Sequence, residues 1–313
     1  MNKKKFRGRD FLELTDYSQE ELHYLLDTAR ELKRMEMMKV RDEKPLRDKI
    51  IALLFEKPSL RTRVSFEVAV RELGGEVFYL GPQEVGLGQR EAVKDVAQVL
   101  DRMVDGLIIR TFAHENLLEI ARFASVPVIN GLSDLYHPCQ VLGDLLTLQE
   151  KKGKLQGIKI CFLGDGNNVC HSWINAASIL GLELTVSTPE RYRPSPSIWE
   201  EAQVRGKKSG AQIIYEANPQ KAIKGAEVVY TDVWTSMGKE AEKEERKAFL
   251  QLYQVNSHLL SEASPEFIVM HCMPAKRGEE ITDEVMDGPH SVVVDEAENR
   301  LHAQKALLAL ILS

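Results

Sequence analysis

The sequence predicts an α/β protein built from two parallel-sheet domains that long helices link. Apolar, strand-like runs alternate with amphipathic, helix-like segments along the chain, an order typical of a parallel sheet with crossover helices. The alternation pauses at residues 151–157, a polar stretch with two glycines, and then starts again. The length of 313 residues exceeds the ~250 residues at which one core usually divides. We therefore expect a first domain over residues 1–149, with a C-terminal helix at 297–313 packing back on it, and a second domain over 150–296.

Composition and charge exclude several classes of protein. The hydrophobic residues, 43% of the chain, are spread evenly, which excludes disorder for the bulk of the chain. No apolar run approaches the ~20 residues of a membrane-spanning helix, so we expect no crossing of a bilayer. The 41 Lys and Arg against 47 Asp and Glu give a net charge of −6, which argues against nucleic acid as the main partner. A local basic pocket for one small anion remains compatible with that charge.

Cysteine usage and the N-terminal segment indicate a protein of the reducing cytoplasm. The four cysteines are too few and too scattered for a disulfide framework, and neither they nor the histidines have the spacing of a zinc site. The start, MNKKKFRGRDFLEL, is basic but lacks the apolar stretch of a secretory signal, and we expect a solvated tail there.

The first half of the chain is predicted to begin with a helix and then alternate between strands and helices. A capping-box pattern at Ser18 and Glu21 opens a helix whose Leu22, Leu25, Leu26 and Ala29 share one face. The elements expected after it are a strand at Ile50–Phe55, a helix from Leu60 to about Gly74, a strand at Glu76–Leu80, a helix at 91–105, a strand at Gly106–Arg110, a helix at 115–124, a strand at 126–130 and a helix at 140–150.

The second half repeats the same order. Its expected elements are a strand at 158–164, a helix at 171–181 and strands at 182–189, 211–217, 226–232, 267–273 and 291–296. The charged segment 239–247 predicts a solvated helix. The last residues, 296–313, predict a helix whose apolar face is formed by Leu301, Leu308, Ile311 and Leu312.

The start of the helix after Ile50–Phe55 carries the pattern of an anion site. Ser59, Leu60, Arg61, Thr62 and Arg63 combine unpaired helix N–H groups with two hydroxyls and two guanidinium groups. The alternative is a serine cap followed by surface arginines. Two arginines in a first turn oppose the helix dipole, however, so a compensating anion, most simply phosphate, is favoured.

Two further strand ends in the first half carry polar residues. Arg110 closes the strand Gly106–Arg110, and His137 and Gln140 stand at a predicted helix start. A histidine and a glutamine three residues apart can approach one ligand oxygen together. The alternatives are a strand-end arginine that reaches solvent and a structural histidine.

In the second half, a glycine pair suggests a nucleotide at first sight. Gly164-Asp165-Gly166-Asn167-Asn168 follows a strand, but Val169 occupies the third glycine position of the dinucleotide fingerprint. The neighbouring amides therefore suit a polar, amino-acid-like ligand better than NAD.

Two later strand ends suggest recognition of an amine. Asp232 precedes the small residues of DVWTSMG, a pattern suited to binding an ammonium group beneath a moving loop. The alternative is a plain turn with Ser236 as a cap and Met237 as packing. His271 and Cys272 are adjacent, and neighbours on a strand point to opposite faces, so we expect no Cys–His nucleophile pair from this dipeptide.

The motifs SLRTR, Arg110, HPCQ, DVWTSMG and HCMPA, in this order, closely resemble the aspartate/ornithine carbamoyltransferase family over essentially the whole chain. DVWTSMG and HCMPA, with GDGNN before them, are similar to the ornithine-specific branch. The chain departs from the family pattern at Leu60, usually Thr, and at Met273, usually Leu. Gly86 stands where relatives often place a Gln or His that reaches a neighbouring subunit, a contact that Gln89 or Arg90 could supply instead.

The resemblance implies attack of ornithine's side-chain amine on carbamoyl phosphate, giving citrulline and phosphate without a cofactor, a metal or a covalent intermediate. It further implies a cytoplasmic homo-oligomer, a trimer or a multiple of trimers, active in arginine metabolism. The implied carbamoyl phosphate-binding residues are Ser59, Leu60, Arg61, Thr62, Arg110, His137, Gln140, Cys272, Met273 and Arg300. The implied ornithine-binding residues are Asn168, Asp232, Ser236 and Met237. The implied catalytic residues are Arg61, Arg110, His137 and Cys272.

Three alternatives are consistent with parts of the sequence. A carbamoyltransferase acting on another amine such as putrescine would not need contacts to an α-carboxylate. A nicotinamide-dependent dehydrogenase would use GDGNN and be protected by NAD against heat. A non-catalytic phosphate- or amino-acid-binding module would be expected to have lost some of the motif residues.

Overall fold

The computed structural model describes residues 3–39, 44–88, 90–235 and 242–313. The chain divides into two compact units, which we call unit 1 (Met1–Leu146 and Glu298–Ser313) and unit 2 (Thr147–Ala297). Within the described ranges, no helix combines the length and the apolar character that crossing a membrane requires. Which substrate each unit binds stays a prediction.

Unit 1 contains a four-stranded parallel sheet in the order β2-β1-β3-β4. Its strands are β1 (Ile50–Phe55), β2 (Glu76–Leu80), β3 (Gly106–Arg110) and β4 (Val128–Leu132). Its helices are α1 (Gln19–Met37), α2 (Leu60–Glu72), α3 (Pro82–Val85), α4 (Val93–Leu100) and α5 (His114–Phe123). Phe55 pairs with Arg110, and Arg110 with Leu132, so the carboxyl ends of β1, β3 and β4 are level.

Unit 2 contains a five-stranded parallel sheet in the order β7-β6-β5-β8-β9. Its strands are β5 (Lys159–Leu163), β6 (Glu183–Ser187), β7 (Gln212–Tyr215), β8 (Val228–Thr231) and β9 (Ile268–His271). Leu163 pairs with Thr231, and Thr231 with His271, so the residues that follow β5, β8 and β9 leave the sheet at one level.

The remaining helices fall in unit 2 or cross the division between the units. Helix α6 (Pro138–Lys152) and the last helix, α13 (Val293–Ile311), each contain a point at which the chain passes from one unit to the other. The helices of unit 2 are α7 (Asn168–Leu180), α8 (Pro196–Ser209), α9 (Pro219–Ala222), α10 (Lys243–Leu250), α11 (Ser257–Leu260) and α12 (Asp283–Met286).

Each sheet carries its own apolar core. In unit 1, Ala52, Leu54, Leu107 and Ile109 of the central strands pack in one buried cluster with residues of α4 and α5. In unit 2, the corresponding cluster includes residues of β5, β8 and β9 and the buried ring of Trp234. Because parallel strands are covered on both faces, their sequences are near-continuous apolar runs. This is why β1 and β3 have the predicted bounds.

Most predicted elements are confirmed, with shifts at their ends. The Ser18–Glu21 capping box is formed at the start of α1. The strand predicted at 126–130 lies at Val128–Leu132, and the helix predicted at 91–105 ends at Leu100.

The strand predicted at 291–296 is wrong, because helix α13 begins at Val293. The valine run resembles a strand, and Ser291 does form an isolated bridge with Val269. Asp295 and Glu296 lie in the first helical turn, however, where acidic side chains interact favourably with the helix dipole. The expected apolar face also differs: Leu301 is only half-buried, whereas residues 302–312 are buried on every side of the helix.

The expectation of a solvated N-terminal tail is also wrong beyond the first lysines. Phe6 and Phe11 are fully buried, and their rings pack against Tyr17. The Gly8 N–H donates to the carbonyl of Ile311 at 2.9 Å. The aromatic rings in this basic segment bury apolar area while the side chains of Lys4 and Lys5 stay exposed.

Candidate active site

In unit 1, the start of α2 has the expected form of an anion site. Ser59 is the N-cap, and its Oγ accepts a hydrogen bond from the Thr62 N–H at 3.4 Å. The first turn contains no acidic residue. Leu60 is 73% exposed, and because its side chain is apolar, only its backbone N–H can bind an anion. Arg63 pairs with Glu67 at 2.7 Å, which fits the surface alternative for that residue. Arg61 forms no ion pair with another described residue, so its charge remains available to a ligand.

Buried cationic side chains of unit 1 gather around His137. Arg300 donates to the Thr62 hydroxyl at 2.7 Å, and Arg300 and Arg110 are both almost fully buried. Burial lowers the pKa of His137 well below its usual value, and the charges of Arg300 and Arg110 lower it further. The imidazole is therefore neutral at pH 7. Two buried guanidinium groups beside one neutral imidazole suit an anionic ligand.

Helix α6 brings Gln140 to this group. The helix begins at Pro138, directly after His137, and the thiol of Cys139 donates to the carbonyl of Asn130 within β4. The Gln140 N–H donates to the His137 carbonyl at 3.1 Å. One turn later, Asp144 accepts a hydrogen bond from Gln140 Nε2 at 2.8 Å, and both side chains are fully buried.

Two residues between β1 and α2 escaped the sequence analysis. The Glu56 carboxylate accepts hydrogen bonds from the Thr111 hydroxyl and from the Phe112 N–H, which joins the loops that follow β1 and β3. Lys57 is buried, with Nζ 4.2 Å from the centre of the Phe112 ring. The available signal was a Glu-Lys pair directly after a buried strand, where a charge must find a partner.

In unit 2, Asp232 is the centre of a compact polar group at the end of β8. Its carboxylate accepts hydrogen bonds from the Cys272 thiol at 2.9 Å, from Asn167 Nδ2 at 2.7 Å and from the Val233 N–H at 2.7 Å. Asn167 also caps α7, so one amide side chain orders both the helix start and the carboxylate. The predicted Asn168 is half-buried in the first turn of α7. The direct partner of Asp232 is its neighbour Asn167, which was named within the glycine motif but not selected as a site residue.

The His271 ring contacts the Met273 backbone and Glu280 rather than acting on the Cys272 thiol. Its Nδ1 accepts a hydrogen bond from the Met273 N–H at 2.9 Å, so the ring proton lies on Nε2, which is 3.1 Å from Glu280 Oε1. Ligand atoms of Asp232, His271 and Cys272 lie within 4.8 Å of one another. Both ring nitrogens are already engaged, so this arrangement does not offer an imidazole lone pair to a metal. Met273 itself has a left-handed backbone, with φ at 55°.

The expectation of a solvated helix at 239–247 is wrong at Arg246. Its guanidinium is only 3% exposed and binds Asp165 at 2.8 Å and the Trp234 carbonyl at 3.2 Å. It also lies 4.5 Å from the centre of the Tyr192 ring. One buried cation thus joins the loops that follow β5 and β8. A charged run in the sequence gives no sign of which member turns inward.

The predicted site residues divide between the units. Unit 1 holds Ser59, Leu60, Arg61, Thr62, Arg110, His137, Gln140 and Arg300, and unit 2 holds Asn168, Asp232, Cys272 and Met273. Thr62 and Arg300 are in direct contact, as are Asp232 and Cys272. Ser236, Met237 and Gln89 lie outside the described residues.

Comparison with known proteins assigns both halves of the chain to one family. Residues 9–150 match the family model "Aspartate/ornithine carbamoyltransferase, carbamoyl-P binding domain", and residues 156–311 match "Aspartate/ornithine carbamoyltransferase, Asp/Orn binding domain". A protein of Thermococcus kodakarensis named ornithine carbamoyltransferase is 49% identical over 310 residues, which cover 97% of this chain and 96% of the relative.

Solved structures agree with that assignment. Ornithine carbamoyltransferase from Pyrococcus furiosus is 47% identical and superposes with a TM-score of 0.95 over 98% of both chains. The Thermus thermophilus ornithine carbamoyltransferase is 43% identical, with a TM-score of 0.87 over 100% of both chains. The chain therefore belongs to the aspartate/ornithine carbamoyltransferase family.

Proposed function

We propose that this chain transfers the carbamoyl group of carbamoyl phosphate to the side-chain amine of L-ornithine, giving L-citrulline and phosphate. The observation that carries the proposal is the buried cationic group of unit 1, where Arg300 contacts Thr62 and both Arg300 and Arg110 act on a neutral His137. The relatives named ornithine carbamoyltransferase support the choice of the acceptor amine.

The residues of unit 1 are suited to bind and polarise carbamoyl phosphate. The helix start with Ser59, Arg61 and Thr62 supplies backbone N–H groups, hydroxyls and a charge to the phosphate oxygens. As the amine attacks the carbonyl carbon, negative charge develops on the carbonyl oxygen. Arg110 and a neutral His137 that donates a proton in a hydrogen bond are the groups we assign to that oxygen. The bond between the carbonyl carbon and the phosphate oxygen then breaks, and phosphate leaves as the second product with the proton that the attacking nitrogen gives up.

The residues of unit 2 are suited to hold an amino acid. We assign Asp232 and Asn168 to the α-amino and α-carboxylate ends of ornithine, together with Ser236 and Met237, which lie outside the described residues. The Cys272 thiol donates a hydrogen bond to Asp232, so its sulfur can accept a hydrogen bond from the attacking amine. We therefore assign Cys272 an orienting role. A free alkylammonium group has a pKa of ~10.4, and its nitrogen attacks only after the ammonium has lost a proton.

The remaining assignments follow the same proposal. We assign carbamoyl phosphate binding to residues 1–149 with 297–313, and ornithine binding to residues 150–296. The backbone carbonyl of Met273 is assigned to the carbamoyl group. We further propose a cytoplasmic homotrimer or multiple of trimers. Arg90, which is exposed in unit 1, is the described candidate for a contact to a neighbouring subunit.

A product assay with four acceptors tests the proposal. Carbamoyl phosphate is supplied with ornithine, putrescine, N-acetylornithine or aspartate, and each carbamoylated product is measured separately. We expect product with ornithine alone. Turnover of another amine would retain the assignment of carbamoyl phosphate and overturn that of ornithine. A folded protein without turnover that carbamoyl phosphate protects against heat would instead support a binding module. Protection against heat by NAD would support a dehydrogenase.

A further inference from the structure

We propose that Asp144 is a positioning residue that fixes the orientation of the Gln140 amide, so that the site selects a carbamoyl group over acyl groups without an N–H. The inference rests on the proposed function, because it concerns how carbamoyl phosphate is recognised. It is carried by one contact within unit 1, the 2.8 Å hydrogen bond from Gln140 Nε2 to Asp144 Oδ1.

The chemistry of the two side chains decides which way the amide faces. An amide has nearly the same shape in its two orientations, but one end donates hydrogen bonds and the other accepts them. In the contact between the two side chains Asp144 Oδ1 is the acceptor, so Asp144 holds the NH2 end of Gln140 towards itself. The oxygen Oε1 is then the end presented to a ligand. The –NH2 of a carbamoyl group only donates, and an acceptor is what it needs.

The packing of α6 keeps the pair in this arrangement. Asp144 and Gln140 are four residues apart and therefore lie on one face of the helix, and both are fully buried. Between them, Gly143 has no side chain, and a Cβ there would lie only 3.0 Å from the backbone nitrogen of Arg300. The close approach of α13 thus restricts rotation of α6. Reversal of the Gln140 amide would set two acceptors, its own Oε1 and Asp144 Oδ1, against each other in a buried site.

The test replaces the carboxylate by an isosteric amide, Asp144→Asn. Asparagine can offer either an oxygen or an NH2 group to Gln140, so the preference for one orientation is lost. Binding is measured by calorimetry without ornithine for three ligands: carbamoyl phosphate, acetyl phosphate with a methyl group in place of the –NH2, and inorganic phosphate. We expect affinity for carbamoyl phosphate to fall about tenfold, the change that 1.4 kcal/mol produces. Affinities for acetyl phosphate and phosphate should stay within a factor of two.

Further variants separate the loss of amide orientation from general damage to the site. Glu150→Gln makes the same chemical change at an exposed position of the same helix and should leave all three affinities unchanged. Gln140→Met removes the amide. In that background, Asp144→Asn should cause no further loss for carbamoyl phosphate. Asp144→Ser, whose hydroxyl can also donate or accept, repeats the test if the asparagine variant does not fold.

The outcomes distinguish this inference from the proposed function. Equal losses for all three ligands, or no loss for any, would overturn the role of Asp144 while the wild-type protein still turns over carbamoyl phosphate. If the wild-type protein neither binds carbamoyl phosphate more tightly than acetyl phosphate nor turns it over, the proposed function fails, and the role of Asp144 fails with it.

Discussion

At the scale of single residues, buried imidazoles make the stability of unit 1 depend on pH. Burial is the largest cause that lowers the pKa of His114, His137 and His302 below the usual value of 6.5. The folded chain therefore keeps these rings neutral at pH values where the unfolded chain binds protons. The free energy of unfolding should fall as the pH drops below 6.5, and this fall should end once the pH is below the folded-state pKa values.

His302→Gln tests this dependence without touching the proposed site. Each neutral histidine contributes up to about 1.4 kcal/mol per pH unit within that window. Urea unfolding measured between pH 7.5 and 5.5 should show a shallower pH slope in the variant. His258→Gln, at an exposed position of unit 2, is the control and should leave the slope unchanged. An identical slope in the His302 variant would contradict the assignment.

The buried ion pair of unit 2 predicts a large loss of stability on removal of its cation. Arg246→Met leaves the Asp165 carboxylate buried without its ion pair, which costs about 3–5 kcal/mol. The nearby Arg191 pairs with Glu245 at the surface, and Arg191→Met should cost at most about 1 kcal/mol. Urea unfolding of the two variants gives the comparison. Equal losses of unfolding free energy in the two variants would contradict a larger contribution from the buried pair.

The residues that the sequence predicted and those that it missed differ in a physical way. Ser59 and Arg61 stand at the helix start after β1, and Asp232 follows β8 directly. The carboxyl edge of a parallel sheet is a position that a sequence reveals. Asn167 and Arg246 act through partners more than sixty residues away. Spacing along the chain carries no information about such contacts, so only the folded structure identifies them.

At the scale of elements, the start of α1 offers a clean test of local helix stabilisation. The Ser18 side chain accepts from the Glu21 N–H, and the Glu21 carboxylate accepts from the Ser18 N–H. Ser18→Ala should lower the free energy of unfolding by about 1 kcal/mol, because a helix N–H group loses its acceptor. Ser18→Asp keeps an acceptor and should recover most of that loss. Citrulline formation should be the same in both variants, and a change in it would contradict a purely local role.

Elements were predictable where local pattern and burial agree. The runs at Ile50–Phe55 and Gly106–Arg110 are apolar, short and covered on both faces, so period and composition define them. The start of α13 was mistaken for a strand because Val292, Val293 and Val294 favour strands by their branching. The acidic residues after them and the long helix they begin outweigh that local preference.

At the scale of the whole molecule, the proposed assignment of one substrate to each unit makes a spatially resolved prediction. Carbamoyl phosphate alone should slow amide hydrogen exchange at the starts of α2 and α6, where helix N–H groups face the anion. Ornithine should slow exchange after β8 and at the start of α7. Mass-spectrometric exchange with each ligand separately measures both patterns. Protection by carbamoyl phosphate confined to unit 2 would contradict the assignment.

Helix α13 gives unit 1 its final piece from the far end of the chain. Residues Glu298–Ser313 belong to unit 1, where Gly8 donates to Ile311 and Gly106 lies against Leu312. A ribosome therefore delivers all of unit 2 before it delivers the last helix of unit 1. Domains usually mature in the order of their synthesis. Here the unit whose synthesis starts first is the one whose core is completed last, after all of unit 2 has been made.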